Sequence, residues 1–181
     1  MLEWRVKTFS ELSVYELYEC LRLRVDVFIV EQQAPYSDLD GKDVDPETRH
    51  VMGFDGDKLV AYSRLMAQGL GYPPEVQQFI EANDKDVCIG RVIIAKSHRG
   101  KGIGHDLMAL SFSTIREIYP QDSIFISSQQ HLKDYYGAHG FKVFTDRYYE
   151  DGCTMLGLRF VPSSIKGDTE PVNLAVSASS N

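Results

Sequence analysis

Leu2, Trp4 and Val6 alternate with Glu3, Arg5 and Lys7, a period of two that predicts a half-buried strand over residues 2–9. The period then lengthens. Val14, Leu17, Leu21, Val25 and Phe28 recur at helical spacing, which predicts a helix over residues 14–30 with that row inward and Glu16, Glu19, Arg22 and Asp26 facing water. Ser10 or Ser13 can cap it, and it ends near Glu31. Residues 50–55 and 58–67 read as two antiparallel strands joined at Asp55-Gly56-Asp57. Gly69, Gly71 and Pro73-Pro74 mark residues 68–85 as a connection with one helical turn at 75–81. The apolar strand VCIGRVIIA then leads, through the loop KSHRGKGIG, into a helix whose inward row is Leu107, Leu110, Ile115 and Ile118 and whose end is marked by Pro120. Residues 123–127 predict a short buried strand and 131–139 a short helix stopped at Gly140. Residues 141–144 and 154–160 predict a closing pair of strands across a long connection. From Pro162 the composition turns to Ser, Gly, Pro, Thr and Asn, so 1–161 reads as a single domain and 162–181 as a disordered tail.

A chain of 181 residues, 43% of them hydrophobic, can bury one such core without disulfides or a metal. Acidic residues outnumber basic ones 26 to 19, a net charge of −7 that argues against a nucleic-acid surface and mildly favours a cationic partner. Cys20, Cys88 and Cys153 are odd in number and widely spaced, as suits a reducing compartment. The amino terminus lacks a signal-peptide pattern and no stretch is apolar enough to span a bilayer, so the expected location is cytoplasmic with no membrane partner. Residues 31–48 form a long acidic loop. Its Asp38-x-Asp40-Gly41 followed by Glu47 approaches a calcium-loop pattern, but Tyr36 occupies the first ligand position, and the loop reads as solvated and substrate-facing. The histidines at 50, 98, 105 and 139 share no metal spacing, and no metal is expected.

Candidate chemistry concentrates between Asp86 and Tyr119. Gly100, Gly102 and Gly104 lie where a chain turning from strand into helix needs positive φ or room for a ligand against its backbone. The first turn of the helix presents unpaired N–H groups and the positive end of its dipole, a setting for a phosphate or pyrophosphate, and Arg99 and Lys101 add charge. The segment is not a P-loop, because Gly104 is followed by His105 and Asp106. Nor is it a dinucleotide fingerprint, because it lies mid-chain rather than in the first turn of a βαβ unit.

What remains, Arg99-x-x-Gly102-x-Gly104 directly after an apolar strand, resembles the acyl-CoA pyrophosphate loop of the GNAT acetyltransferase superfamily. Tyr136-x-x-x-Gly140-Phe141 matches a second motif of that family, Y-x-x-x-G-F, and the order of elements is similar from end to end. A narrower resemblance covers residues 14–158. LYECLRLRVDVFIVEQQAPYSDLDGKD, IGRVIIA, SSQQHLKDYYGAHGF and YYEDG look like the ElaA-like branch of the superfamily. Where that branch has DGIPHI, this chain has Asp151-Gly152-Cys153-Thr154-Met155-Leu156, so Met155 replaces the family histidine and no proton-transfer role carries over from it. The resemblance implies an α/β, single-domain GNAT acyltransferase fold with a mixed, mostly antiparallel sheet flanked by helices. It also implies acetyl transfer from acetyl-CoA to a primary amine by direct attack in a ternary complex.

The same resemblance assigns roles. Backbone N–H groups of Gly100, Lys101, Gly102, Ile103 and Gly104, with Arg99, hold the pyrophosphate, and Val92, Ile93 and Ile94 offer backbone groups to the pantetheine and the thioester carbonyl. Tyr136 acts as general acid at the CoA sulfur, although a lone tyrosine on a short helix reads as packing. Arg91, a cation in an apolar strand, needs an acidic partner from the end of the first helix or from the acidic loop, with Glu31 the first choice. A structural ion pair and a seat for an acceptor carboxylate are both open to it. Glu31, Asp151 and His131 are the candidate bases, Glu31 standing with Tyr136 in the catalytic set and Arg91, His131 and Asp151 facing the acceptor. A non-catalytic CoA-binding module and a transferase of longer acyl chains are the rival readings, and a homodimer is compatible with either.

Overall fold

The computed structural model describes residues 1–162, so the expected tail lies, Pro162 apart, outside the described residues. Eight strands form one mixed sheet: β1 (Glu3–Lys7), β2 (Arg49–Asp55), β3 (Lys58–Met66), β4 (Val87–Ile94), β5 (Ile124–Gln129), β6 (Lys142–Val143), β7 (Tyr148–Glu150) and β8 (Cys153–Phe160). Their spatial order is β1-β2-β3-β4-β5-β8-β6, with β7 also on β8, and β4–β5 is the parallel pair in an otherwise antiparallel sheet. Three α-helices, α1 (Val14–Arg24), α2 (Ile103–Ile118) and α3 (Lys133–Gly137), flank it, as the resemblance implied. Strand β7 is the element the periodicity left inside a connection. Asp151 and Gly152, with φ of 49° and 82°, form the two-residue turn that folds it onto β8.

Side-chain alternation sorts the core by face. Leu65, Val87, Ile89, Ile124, Ile126, Leu156 and Leu158 point to the side covered by Leu107, Met108 and Ile115 of α2 and Tyr136 of α3. Met52, Phe54, Tyr62 and Ile93 point to the other side, against Cys20 and Leu23 of α1 and Val27. Met66, Cys88 and Phe125 continue that second face under the single-turn helix Pro74–Phe79.

Helix α1 starts at the expected residue but ends at Arg24, short of residue 30, and it does not bury the expected face. Val14 is 87% exposed and Val25 is also on the surface, whereas Glu16, Glu19, Cys20, Leu23 and Arg24 are buried. Each buried charge has a dedicated partner. Glu16 accepts from Lys7 at 2.8 Å and caps the helix with Ser13. Glu19 accepts from Arg22 and from the backbone N–H of Leu59 at 3.0 Å. These bonds satisfy the desolvated carboxylates, so polar residues hold positions that a hydrophobic count assigns to solvent. Beyond Arg24 the helix widens into a π-helical stretch, Val25–Glu31, closed by the Gln32 N–H on the Val27 carbonyl at 2.9 Å.

Candidate active site

Strands β4 and β5 separate. They pair only at Val87–Ile124 and Cys88–Phe125, after which β4 runs on to Ile94 and β5 to Gln129 without a shared ladder. Backbone groups of β4 past Cys88 therefore lack strand partners on the β5 side, in a sheet where such groups are otherwise paired. A bulge sharpens the divergence: the β3–β4 register shifts between Tyr62 and Arg64, and Arg91 adopts φ 53°. A long side chain held at positive φ costs about 1–3 kcal/mol and persists only where its surroundings fix it.

The glycine loop lies at the far end of β4. Gly100 and Gly102 have φ of 75° and 80°, and a Cβ at either would meet open space, so backbone conformation rather than crowding demands glycine. Gly104 is different: a Cβ there would come 2.9 Å from the Tyr135 hydroxyl. Gly102 caps α2, and the first intrahelical bonds are donated by His105 and Asp106 to its carbonyl. The N–H groups of Ile103 and Gly104 thus head a 16-residue helix without partners among the described residues. Open space, left-handed glycines and free amides fit a diphosphate.

Arg99 does not stand free beside this cradle. Its Nε donates to the Ile94 carbonyl at 2.9 Å, and its two Nη atoms grip Glu31 at 2.5 and 3.1 Å. Glu31 was expected to pair with Arg91; the π-helical turn carries it to the glycine loop instead. The hydrogen bond from Arg99 holds the Glu31 carboxyl below the ordinary range.

Arg91 is paired from within the acidic loop. Its Nε donates to Asp38 Oδ1 at 2.7 Å and its Nη2 to the Asp38 carbonyl at 3.2 Å, while Phe28 and Tyr36 present ring faces at 5.9 and 5.3 Å. Asp38 also accepts from Arg24 at 2.8 Å, and Asp43 joins Arg24 (2.7 Å) to Arg64 (3.0 Å), which holds Asp40 at 2.7 Å. The loop's inner acids are therefore neutralised by three arginines, contrary to the expectation of a solvated acidic surface.

A second polar cluster closes the other side of the gap. Ser127 follows Phe125 on the same face of β5, just past the last β4–β5 pair. Its Oγ lies 2.6 Å from the Tyr148 hydroxyl and donates to Glu150 Oε2 at 2.8 Å. Burial raises the pKa of Glu150, Ser127 opposes that rise, Glu75 and Asp151 add to it, and Arg91 opposes it. The sequence reading passed over Glu150 in favour of its neighbour. The signal was present, because a strand entering an Asp-Gly hairpin puts Tyr148 and Glu150 on one face and leaves Asp151 in the turn. Asp151 is exposed at that turn; His131 is exposed on the rim of a cavity of about 370 Å³ that it shares with Gln129, Gln130, Cys153 and Thr154. Met155 pairs with Gln129 and Tyr148 and so shares the face of Ser127 and Glu150.

Tyr136 projects from the opposite face. Its ring packs edge-on against Tyr135 and Phe141, at 5.0 and 6.0 Å, and the residue is 5% exposed. Its hydroxyl has no hydrogen-bond partner among the described residues.

This arrangement has close counterparts. A family model described as an acetyltransferase (GNAT) domain matches residues 27–161. Protein ElaA of Escherichia coli is 37% identical over 158 residues, spanning 87% of this chain and 95% of ElaA. The chain belongs to the GNAT family, in its ElaA-like branch. The ElaA crystal structure matches it with a TM-score of 0.76, covering 88% of this chain and 99% of its own. A crystal structure of an acyl-CoA N-acyltransferase from Pseudomonas aeruginosa, 35% identical, gives 0.76 with coverage of 89% and 100%. BjaI, a CoA-dependent acyl-homoserine lactone synthase, is 16% identical at a TM-score of 0.70, covering 88% of this chain and 82% of its own, and shares the fold alone. In this GNAT acyltransferase β4 parts from β5 and leads directly into the glycine loop, and Tyr136 packs on the α2 face of the sheet.

Proposed function

We propose that the protein transfers an acetyl group from acetyl-CoA to a primary amine by direct attack in a ternary complex. The observation that carries this reading is the parting of β4 and β5 together with the glycine cradle between β4 and α2; Tyr136 packs on the α2 face of the sheet. Amides of Gly100, Lys101, Gly102, Ile103 and Gly104 receive the diphosphate, and backbone groups of Val92, Ile93 and Ile94 receive the pantetheine and thioester carbonyl. Tyr136 protonates the departing thiolate. The acceptor enters from the opposite face, past Arg91 and the cavity bordered by His131, and meets Asp151 in the neighbouring hairpin turn. Because Asp38, Asp40 and Asp43 are already matched by arginines, the acidic loop gives little support to a polycationic acceptor. No helix among the described residues is long and apolar enough to cross a membrane, and we place the reaction in the cytoplasm.

Release of free CoA thiol from acetyl-CoA, measured against polyamines, amino acids, aminoglycosides and short peptides with calorimetric CoA binding alongside, tests the reading. Turnover on at least one amine is the expected outcome. Tight binding with no turnover across such panels would favour the CoA-binding module, for which Met155 is the supporting residue, and faster turnover with a long-chain acyl-CoA would favour the other rival.

The cradle is tested separately. Gly102→Val forces a β-branched residue to φ 80° at a cost of about 1–3 kcal/mol, a tolerable loss for a domain, while its side chain enters the space left open over the loop. Acetyl-CoA affinity is expected to fall at least about 100-fold, the effect of losing roughly 2.7 kcal/mol of binding free energy. A folded variant that binds acetyl-CoA normally overturns the cradle.

A further inference from the structure

We propose that Glu150 is the general base that deprotonates the acceptor amine, positioned by a directed hydrogen-bond chain from Tyr148 through Ser127. This rests on the reading above. Ser127 Oγ carries one proton and sits 2.6 Å from the Tyr148 hydroxyl and 2.8 Å from Glu150 Oε2. Since the carboxylate only accepts, Ser127 donates to Glu150 and Tyr148 donates to Ser127, so both donors point toward the carboxylate. Oε2 is thereby engaged. Oε1 has no partner among the described residues and is not among the sealed, unpartnered atoms, so it faces accessible space. That is the geometry of a fixed proton acceptor with one open lone-pair side.

Its place in the sheet gives the chain a purpose. Ser127 is the first residue on its face of β5 after β4 and β5 part, and Tyr136 packs on the opposite face of the sheet. An amine arriving beside Glu150 and a thiolate leaving toward Tyr136 therefore use opposite faces of the sheet. Glu150 takes one proton from the acceptor ammonium, and the freed nitrogen lone pair forms the C–N bond at the thioester carbonyl. The C–S bond breaks, the sulfur takes the Tyr136 proton, and the second nitrogen proton passes to water. Glu150 then returns its proton to water and Tyr136 is reprotonated from it. The surroundings suit the role. Glu75 from the Pro74–Phe79 turn and Asp151 from the hairpin raise the affinity of Glu150 for a proton, Arg91 of β4 and Ser127 lower it, and Met155 on the same face offers no competing proton site. Glu31, held by Arg99 at the glycine loop with its pKa depressed, is the weaker acceptor.

Glutamate carboxyl-carbon NMR titration and pH–rate profiles test this together. In the titration, one resonance missing from Glu150→Gln is expected to move above the ordinary glutamate range, and to move higher still in Ser127→Ala, which loses the bond that favours the charged form. With an amine that turns over in the CoA-release assay, Glu150→Gln is expected to lower kcat by about 10²–10⁴-fold at unchanged acetyl-CoA affinity. The acidic limb of the kcat profile shifts upward in Ser127→Ala. A Glu150 that titrates in the ordinary range, or a Glu150→Gln variant within about threefold of the parent kcat, overturns the assignment while leaving the acetyltransferase reading intact. Failure of the parent protein to bind acetyl-CoA overturns that reading instead, and where no panel amine turns over, the titration alone decides.

Discussion

Arg24→Ala is expected to cost about 3–5 kcal/mol of stability, because it removes the cation from between two buried carboxylates. Arg24 is 1% exposed; its Nε and Nη2 engage Asp38 through the carboxylate and the carbonyl, and its Nη1 engages Asp43. Without it, Asp38 retains Arg91 and Asp43 retains Arg64, but each carboxylate keeps fewer donors in a site closed to water. For a domain of this size the loss corresponds to a melting temperature lower by roughly 6–20 °C. An exposed pair sets the contrast: Glu3→Ala, which frees one contact of Arg5 at the sheet edge, is expected to leave stability nearly unchanged. Thermal unfolding of both variants checks the difference, and equal shifts would show that the buried network is not what orders the 31–48 segment. The network also sets a pH dependence. Burial alone would raise the carboxyls, but the Arg64 hydrogen bond holds Asp40 at about 2, and Arg24 holds Asp43 below its ordinary value. Folded-state pKa values below the unfolded 3.8 stabilise the protein above about pH 4, and that contribution is lost as the pH falls from there toward 2. Arg24→Ala should flatten this acid limb, and because Asp38 also holds Arg91, it should raise the acceptor KM more than it changes acetyl-CoA affinity.

The same network marks where a sequence stops being legible. The glycine loop could be read directly, since positive φ at Gly100 and Gly102 is a local demand that the residue type announces. So could the sheet apart from β7, since its other strands follow a local period of two or a short apolar run. The face of α1 could not, because what buries Glu16, Glu19 and Arg24 is a set of partners on β1, at Leu59 and in the acidic loop, between 9 and 40 positions away. A count of acids in residues 31–48 shows charge but not the arginines at 24, 64 and 91 that neutralise it. Of the two sources of an acid for Arg91, the helix end and the acidic loop, the loop supplies it through Asp38, while the π-helical turn carries Glu31 to Arg99. Glu150 is an intermediate case: its face follows from the hairpin, while its attachment to Ser127 depends on which strand β8 brings alongside.

Tyr136→Phe is expected to lower kcat by about 10²–10⁴-fold while leaving acetyl-CoA affinity and stability nearly unchanged. Stability should hold because the ring supplies the packing, against Tyr135, Phe141 and the α2 face of the sheet, and the hydroxyl makes no bond among the described residues that phenylalanine would lose. Affinity should hold because the cradle lies at the head of α2 and is formed by backbone groups. The rate should fall because phenylalanine has no proton to give the departing thiolate, whereas burial, then the neighbouring Tyr135, raises the Tyr136 pKa above the ordinary tyrosine value and keeps the phenol protonated. Tyr135→Phe is the control. The Tyr135 hydroxyl approaches the Gly104 position at the cradle, so its removal should act on CoA affinity and spare kcat at saturation. A Tyr136→Phe enzyme with full turnover would transfer the proton-donating role to water. A loss confined to Tyr135→Phe would exchange the roles of the two adjacent tyrosines, placing the leaving thiolate nearer the glycine loop than the gap between β4 and β5 implies.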